Sequence, residues 1–283
     1  MRWRGGRQSD NIEDRRGMRV SRGVVGGGIG TIALALVAMY FGVDPSVVLQ
    51  MAGGGGGTTT TEVPFEETAQ EAELREIAGF TLGQTETAWG EQFAAMGGQY
   101  QPTKLVLFRE NVESGCGVAD SRMGPFYCPA DQQVYIDVLF FNQMAEELRA
   151  GGDFAYAYVV AHEVGHHVQN LLGISGRVQE MRQRVGEVEG NQLSVRTELQ
   201  ADCFAGLWAN HAGRAGVLEP GDVEEGLRAA AAIGDDRLQS TAGRSVSPDS
   251  FTHGTSEQRN RWLHRGLKTG SFEACDTFKS AEL

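Results

Sequence analysis

His162 and His166 stand four residues apart in the stretch FAYAYVVAHEVGHHVQNLL, from Phe154 to Leu172. On a helix that spacing projects both imidazoles from one face, one turn apart, where they can hold a single Zn²⁺ between them. Glu163 then sits beside the metal without ligating it. A carboxylate there can take a proton from a water acidified by zinc and pass it to a leaving amine. The chemistry that this pattern serves is amide hydrolysis, with Zn²⁺ as Lewis acid and source of the nucleophile.

A third ligand must come from elsewhere, because a continuation H-E-x-x-H-x-x-G-x-x-H fails at Gln169 and Leu172. Downstream, RTELQADCFAGLW from Arg196 to Trp208 places Glu198 and Asp202 four apart on one helical face. Ala201, Cys203, Phe204, Ala205 and Leu207 make that helix look buried, where an unpartnered carboxylate is costly. The expected assignment is Glu198 as third ligand and Asp202 as orienter of His162, the E-x-x-x-D arrangement of gluzincins. A salt-bridged surface pair would have the same spacing. For a donor to the developing oxyanion the expected residue is His253 in FTHGTSEQR, with Arg259, Tyr135 and Tyr156 as other candidates; an ordinary surface histidine fits the same loop. His167 lies about 100° round the helix from His166 and reads as a packing residue or a support for the ligands. His211 and His264 read as surface or helix-end histidines.

These motifs, with the opening MRWRGGRQSDNIEDRRG, the run GPFYCPADQQVYID at 124–137, TELQADCFAG at 197–206 and FTHGTSEQR at 251–259, resemble the bacterial neutral zinc metallopeptidases, membrane-anchored proteins with an H-E-x-G-H-H helix. The resemblance runs over most of the chain, and no residue of the zinc pattern is missing. It implies a zinc-dependent peptidase and bears on fold and metal more than on substrate.

The elements that must position these side chains follow from periodicity. Asp153 reads as the N-cap of the histidine helix and Gly173 as its stop. Gly165 inside that helix costs about 1 kcal/mol relative to alanine, which implies a backbone passing close, most simply the helix at 198–209. KLVLF at 104–108 and QVYIDV at 133–138 read as strands of one small sheet. Val134 to Asp137 is either an edge that takes up substrate or core. Further helices are expected near 66–78, 85–96, 139–150, 176–188, 221–233 and from Ser256 to Gly266, with Arg177 to Gln192 either a solvated face or a mobile lid. The expected fold class is α+β and mainly helical, a zincin-like domain of gluzincin type.

Four cysteines, Cys116, Cys128, Cys203 and Cys275, suit two disulfides, with Cys116 to Cys128 closing a short loop and Cys203 left for Cys275. Their spacing does not suit a four-cysteine zinc site. The net charge of −12 divides unevenly: residues 1–23 hold seven arginines against Asp10, Glu13 and Asp14, and the remainder is strongly acidic. An acidic body repels phosphate backbones, so nucleic acid is not an expected partner.

Val24 to Val43 is an uncharged stretch long enough to cross a bilayer, with arginines crowding its N-terminal side. The expected organisation is a basic cytoplasmic head (1–23), a transmembrane helix (24–43), a Gly/Thr-rich linker (44–62) and a metallopeptidase domain (63–283). That places a single-pass protein in the cytoplasmic membrane with its catalytic domain on the extracytoplasmic side, periplasmic or extracellular, acting on protein or peptide substrates. Oligomeric state is not legible. The rival from another class is a membrane-tethered binding or assembly protein that keeps zinc for structure alone; a third reading is a zinc hydrolase for a more specialised amide.

Overall fold

The apolar runs KLVLF and QVYID lie side by side as neighbouring parallel strands at the centre of a four-stranded sheet. Its order is β1 (Ile12–Asp14), β4 (Lys104–Phe108), β8 (Gln133–Asp137), β7 (Phe126–Cys128), with β7 antiparallel to β8. The computed structural model describes residues 1–22 and 58–283. Strands buried on both faces read as continuous apolar runs, and side chains alternate between the two faces. Leu105, Leu107, Val134 and Ile136 join the main helical core, whereas Val106, Phe108 and Tyr135 pack on the other side against Val112 and Ala119. Those last two belong to the hairpin β5 (Asn111–Ser114) and β6 (Gly117–Asp120). Val134 to Asp137 is therefore interior, and the sheet's edges are β1 on one side and β7, next to β8, on the other.

Helices cover the first face. α1 (Ala69–Ala95) opens with a reciprocal capping box between Thr68 and Glu71 and runs unbroken through the gap expected between two shorter helices. Gly83 in that gap makes room for the backbone of residues 7–9. α2 (Val138–Glu146) follows β8, with Asp137 as its N-cap. The histidine helix is α3 (Asp153–Leu171), and it packs on α5 (Glu187–Arg214), with α4 (Ile174–Arg182) between them in sequence. Its N-cap is Gly152, so Asp153 is the first helical residue. A Cβ at Gly165 would lie 3.1–3.3 Å from Ala201 of α5, the close approach that the sequence implied. α6 (Asp222–Ala232), α7 (Asp235–Thr241) and α8 (Ser256–Thr269) complete the layer, and α8 lies against α5. Disulfides join Cys116 to Cys128 and Cys203 to Cys275.

The arginine-rich opening is part of this body, contrary to the expected head set apart in the cytoplasm. β1 pairs with β4, Trp3 is buried, and Arg4, Arg7 and Arg16 pair with Glu73, Glu86 and Glu67. β2 (Met18–Arg22) is antiparallel to β3 (Thr58–Glu62), with Arg22 opposite Thr58. The described residues on either side of 23–57 are thus neighbours in one sheet. The expected span 24–43 lies outside the described residues, and among the described residues no helix is long and apolar enough to cross a membrane. The single-pass topology, and the extracytoplasmic placement that depended on it, are corrected accordingly.

The α-ammonium of Met1 lies 2.9 Å from Asp153, 3.1 Å from Asp222 and 3.2 Å from Glu219, a cluster of carboxylates at the start of α3. Burial opposes its charge, but the bonds to Asp153 and Asp222 outweigh burial and raise its pKa to about 10. A raised folded-state pKa gives stability that is fully present below the unfolded value near 8 and is lost as pH rises through about 10. Asp153 and Glu219 are partly exposed and screened, so the expected loss is on the order of 1 kcal/mol between pH 8 and 11. Urea unfolding of the native chain should show it, and chain acetylated at the Met1 amine should start at the lower stability and lack this pH step.

Candidate metal centre

The hydrogen bonds of α3 and α5 decide which ring nitrogens face the cleft. His162 Nδ1 is 2.9 Å from Asp202 Oδ1, and His166 Nδ1 is 2.9 Å from Gln169 Oε1. Each imidazole is thereby left with Nε2 for a metal, and both Nε2 atoms converge on the Glu198 carboxylate, at 3.2 and 3.4 Å. The three donor sets lie within 4.8 Å of one another. Two imidazoles and a carboxylate, each ring fixed through its other nitrogen, suit Zn²⁺.

Asp202 is fully buried and saturated with donors. Tyr158 donates to it at 2.6 Å, and Arg259 of α8, itself 2% exposed, donates through Nε and Nη2 at 2.9 Å each. Burial would raise the pKa of Asp202, but Arg259 and His162 hold it below the usual carboxylate range. For His162, burial opposes the charge, yet the charge and hydrogen bond of Asp202, with Glu198, push it up to about 10. Burial likewise acts against the charge of Glu198, and His166 and His162 keep it well below its ordinary value.

Glu163 is buried and lines the same cleft, and among the described residues no group donates a hydrogen bond to it. Burial raises its pKa, partly offset by His166 and His162. His253 also lines the cleft, half exposed. Asp235 holds it: one carboxylate oxygen accepts the backbone N–H groups of Thr252, His253 and Gly254, and the other lies 3.1 Å from His253 Nδ1. Gly254 supplies the left-handed φ of +91° that closes the loop. The bond to Asp235 raises the His253 pKa.

Several expected or unforeseen roles sort themselves here. Arg259 is committed to Asp202. Tyr135 donates to Asp131 and lies on the hairpin side of the sheet, and Tyr156 is outside the cleft lining. His167 packs between Tyr100 and Tyr127, its burial lowering its pKa; His211 pairs with Glu91 near the end of α5, and His264 is exposed. Sequence reasoning missed Gln169 as the partner of His166, although a residue three positions on shares its face. Its amide also donates to Thr197 O and Gln200 Oε1, locking the side chain. Tyr158 was missed too, one turn before His162. The cleft, about 590 Å³, is walled by β7 with the residues before it, by α3, by α4 and α5, and by the His253 loop.

A triplet of two histidines and one glutamate, with His162 buried, His166 and Glu198 half-buried, and orienting partners on both rings, defines the chain as a protein with a candidate metal centre. It belongs to the family described as "Putative neutral zinc metallopeptidase", whose sequence model matches residues 1–278. The chain is 48% identical to "Uncharacterized protein YpfJ" of Escherichia coli K12 over 289 aligned positions, 98% of this chain and 99% of that protein. It is 46% identical to "Uncharacterized protein Rv2575" of Mycobacterium tuberculosis H37Rv over 195 positions, 65% of each chain. No solved structure matches.

Removing the carboxylate of residue 202 would leave the Arg259 guanidinium buried without its counter-ion. Such losses cost about 3–5 kcal/mol. Asp202→Ala should therefore unfold at much lower urea even without metal. A change below about 1 kcal/mol would mean that Asp202 serves His162 alone.

Proposed function

We propose that the protein is a zinc-dependent peptidase of gluzincin type, with His162, His166 and Glu198 as ligands and Glu163 as general base. The observation that carries this reading is the Glu163 carboxylate, which is buried in the cleft wall next to the ligands, has no donor among the described residues, and has a raised pKa. A zinc site kept only for structure gains nothing from such a group, which favours hydrolysis over a binding or assembly role.

When bound, zinc supplies a coordinated water acidic near neutrality and polarises the scissile carbonyl. Glu163, its proton affinity raised by burial, takes the proton of the attacking water and later delivers it to the amine nitrogen. Asp202 and Gln169 keep the two imidazoles in the tautomers that present Nε2. His253, held by Asp235 and biased towards its protonated form, supplies a donor for the charge that develops on the carbonyl oxygen. The free edge of β7 takes the substrate main chain in extended form.

Glu163→Gln should keep wild-type zinc content and lose about a thousandfold in turnover of a peptide library. Glu198→Ala should lose zinc at concentrations that saturate wild type, as measured by metal analysis after dialysis. Turnover by Glu163→Gln within tenfold of wild type would sink the base assignment.

A further inference from the structure

β7 is only three residues long, and it is bracketed by Pro125 and Pro129. Proline offers no backbone N–H, so donors along this edge are confined to Phe126, Tyr127 and Cys128. The side chains alternate: Phe126 stacks on Tyr135 and Cys128 is buried, both in the cluster on the hairpin side, while Tyr127 turns towards α3. There its hydroxyl is held from two sides. Asn170 Nδ2 donates to it at 3.1 Å, and His167 Nδ1 lies 3.1 Å away. His167 Nε2 is 2.7 Å from Gln101 O, an acceptor only, so the ring proton is on Nε2 and Nδ1 accepts from Tyr127. Burial pushes the Tyr127 phenol up to about 12, which keeps it a donor.

The consequence is a rigid link. His166 and His167 are adjacent on one helix, and Asn170 is one turn further on. α3 thus carries metal ligands on one face and the anchor of the substrate strand on another, with no intervening loop to absorb a shift. The second clamp on β7, the Cys128–Cys116 disulfide, fixes it to the hairpin and not to the ligands.

We propose that Tyr127, gripped by His167 and Asn170, is the positioning residue that sets the register of an extended peptide on the β7 edge relative to His162 and His166. The proposal rests on the peptidase reading and adds the substrate form it selects: a chain extended enough to pair along Phe126–Cys128. Tyr127, His167 and Asn170 act through the strand and touch none of the reacting atoms.

The test uses the full zinc-loaded chain and two probes: an internally quenched decapeptide containing the bond cleaved best in a peptide library, and a blocked dipeptide amide with the same bond. For Tyr127→Phe, KM for the decapeptide should rise about 5-fold, the size of one lost hydrogen bond, with kcat within twofold and zinc content unchanged. The dipeptide, with one residue on each side of its scissile bond and too short to pair along the three residues of β7, should show no change. Asn170→Ala should act in the same direction, and the double variant should be no worse than Tyr127→Phe, because both act through one hydroxyl. Should Tyr127→Phe not fold, Asn170→Ala at its half-buried position carries the comparison. An unchanged decapeptide KM, or a rise shared equally by the dipeptide, overturns the proposal while leaving the peptidase reading intact. Wild-type protein that cleaves neither probe overturns both.

Discussion

Three helices meet on one buried carboxylate. Asp202 on α5 accepts from Tyr158 on α3 and from Arg259 on α8, and it holds Nδ1 of His162, so its two oxygens join the helix that bears both histidines, the helix that bears Glu198, and the helix behind them. A carboxylate taken wholly out of water is tolerated only when its lone pairs are filled, and here the donors come from Tyr158, His162 and Arg259 on two other helices. The arrangement binds packing to chemistry. Any shift of α8 against α5 moves the guanidinium, then the carboxylate, then the ring. The contact between those two helices is close enough that a Cβ at Gly206 or Gly266 would collide with the opposing backbone, which leaves α8 little freedom to move.

The part of the site that could be read from the sequence is the part written in helical spacing. His162, Glu163 and His166 are one turn of one helix, and Glu198 and Asp202 are one turn of another; the periodicity puts each set on a common face whatever the rest of the chain does. That the two faces meet was foreshadowed by Gly165, whose missing side chain admits Ala201. Arg259 and Tyr158 were harder to see. Their link to Asp202 spans 57 and 44 positions, and nothing in local composition distinguishes a guanidinium buried against a carboxylate from one in solvent. The strands were legible as apolar runs, but not which of them lies at the edge: that depends on the order in which they pair, and the short β7, with only three residues and no strong pattern, takes the outer place.

The opening of the chain was misread for an electrostatic reason. Seven arginines before an uncharged stretch carry the signature of membrane topology, yet the same arginines beside an acidic body are complementary to it. Arg2, Arg4, Arg7 and Arg16 pair with Glu219, Glu73, Glu86 and Glu67 from distant parts of the sequence. The first three of these pairs are exposed and contribute little stability one by one. The segment is held chiefly by β1 in the sheet, by buried Trp3 and Arg16, and by the terminal amine. Charge asymmetry along a sequence is ambiguous between repulsion across a membrane and attraction across an interface, and only the pairing resolves it.

The two cystine bridges tie down two of the elements that wall the cleft, β7 and α5, although none of the four cysteines lines it. One ends at Cys128 on the strand that rims it, and the other begins at Cys203, immediately after Asp202, and ties α5 to the tail whose Cys275 carbonyl accepts from Gln200. Reduction of the first bridge would slacken the rim and reduction of the second, which is fully buried, would slacken the scaffold behind His162 and Glu198. The thiol poise of the surroundings becomes, through these two covalent ties, a variable to which the whole cavity answers.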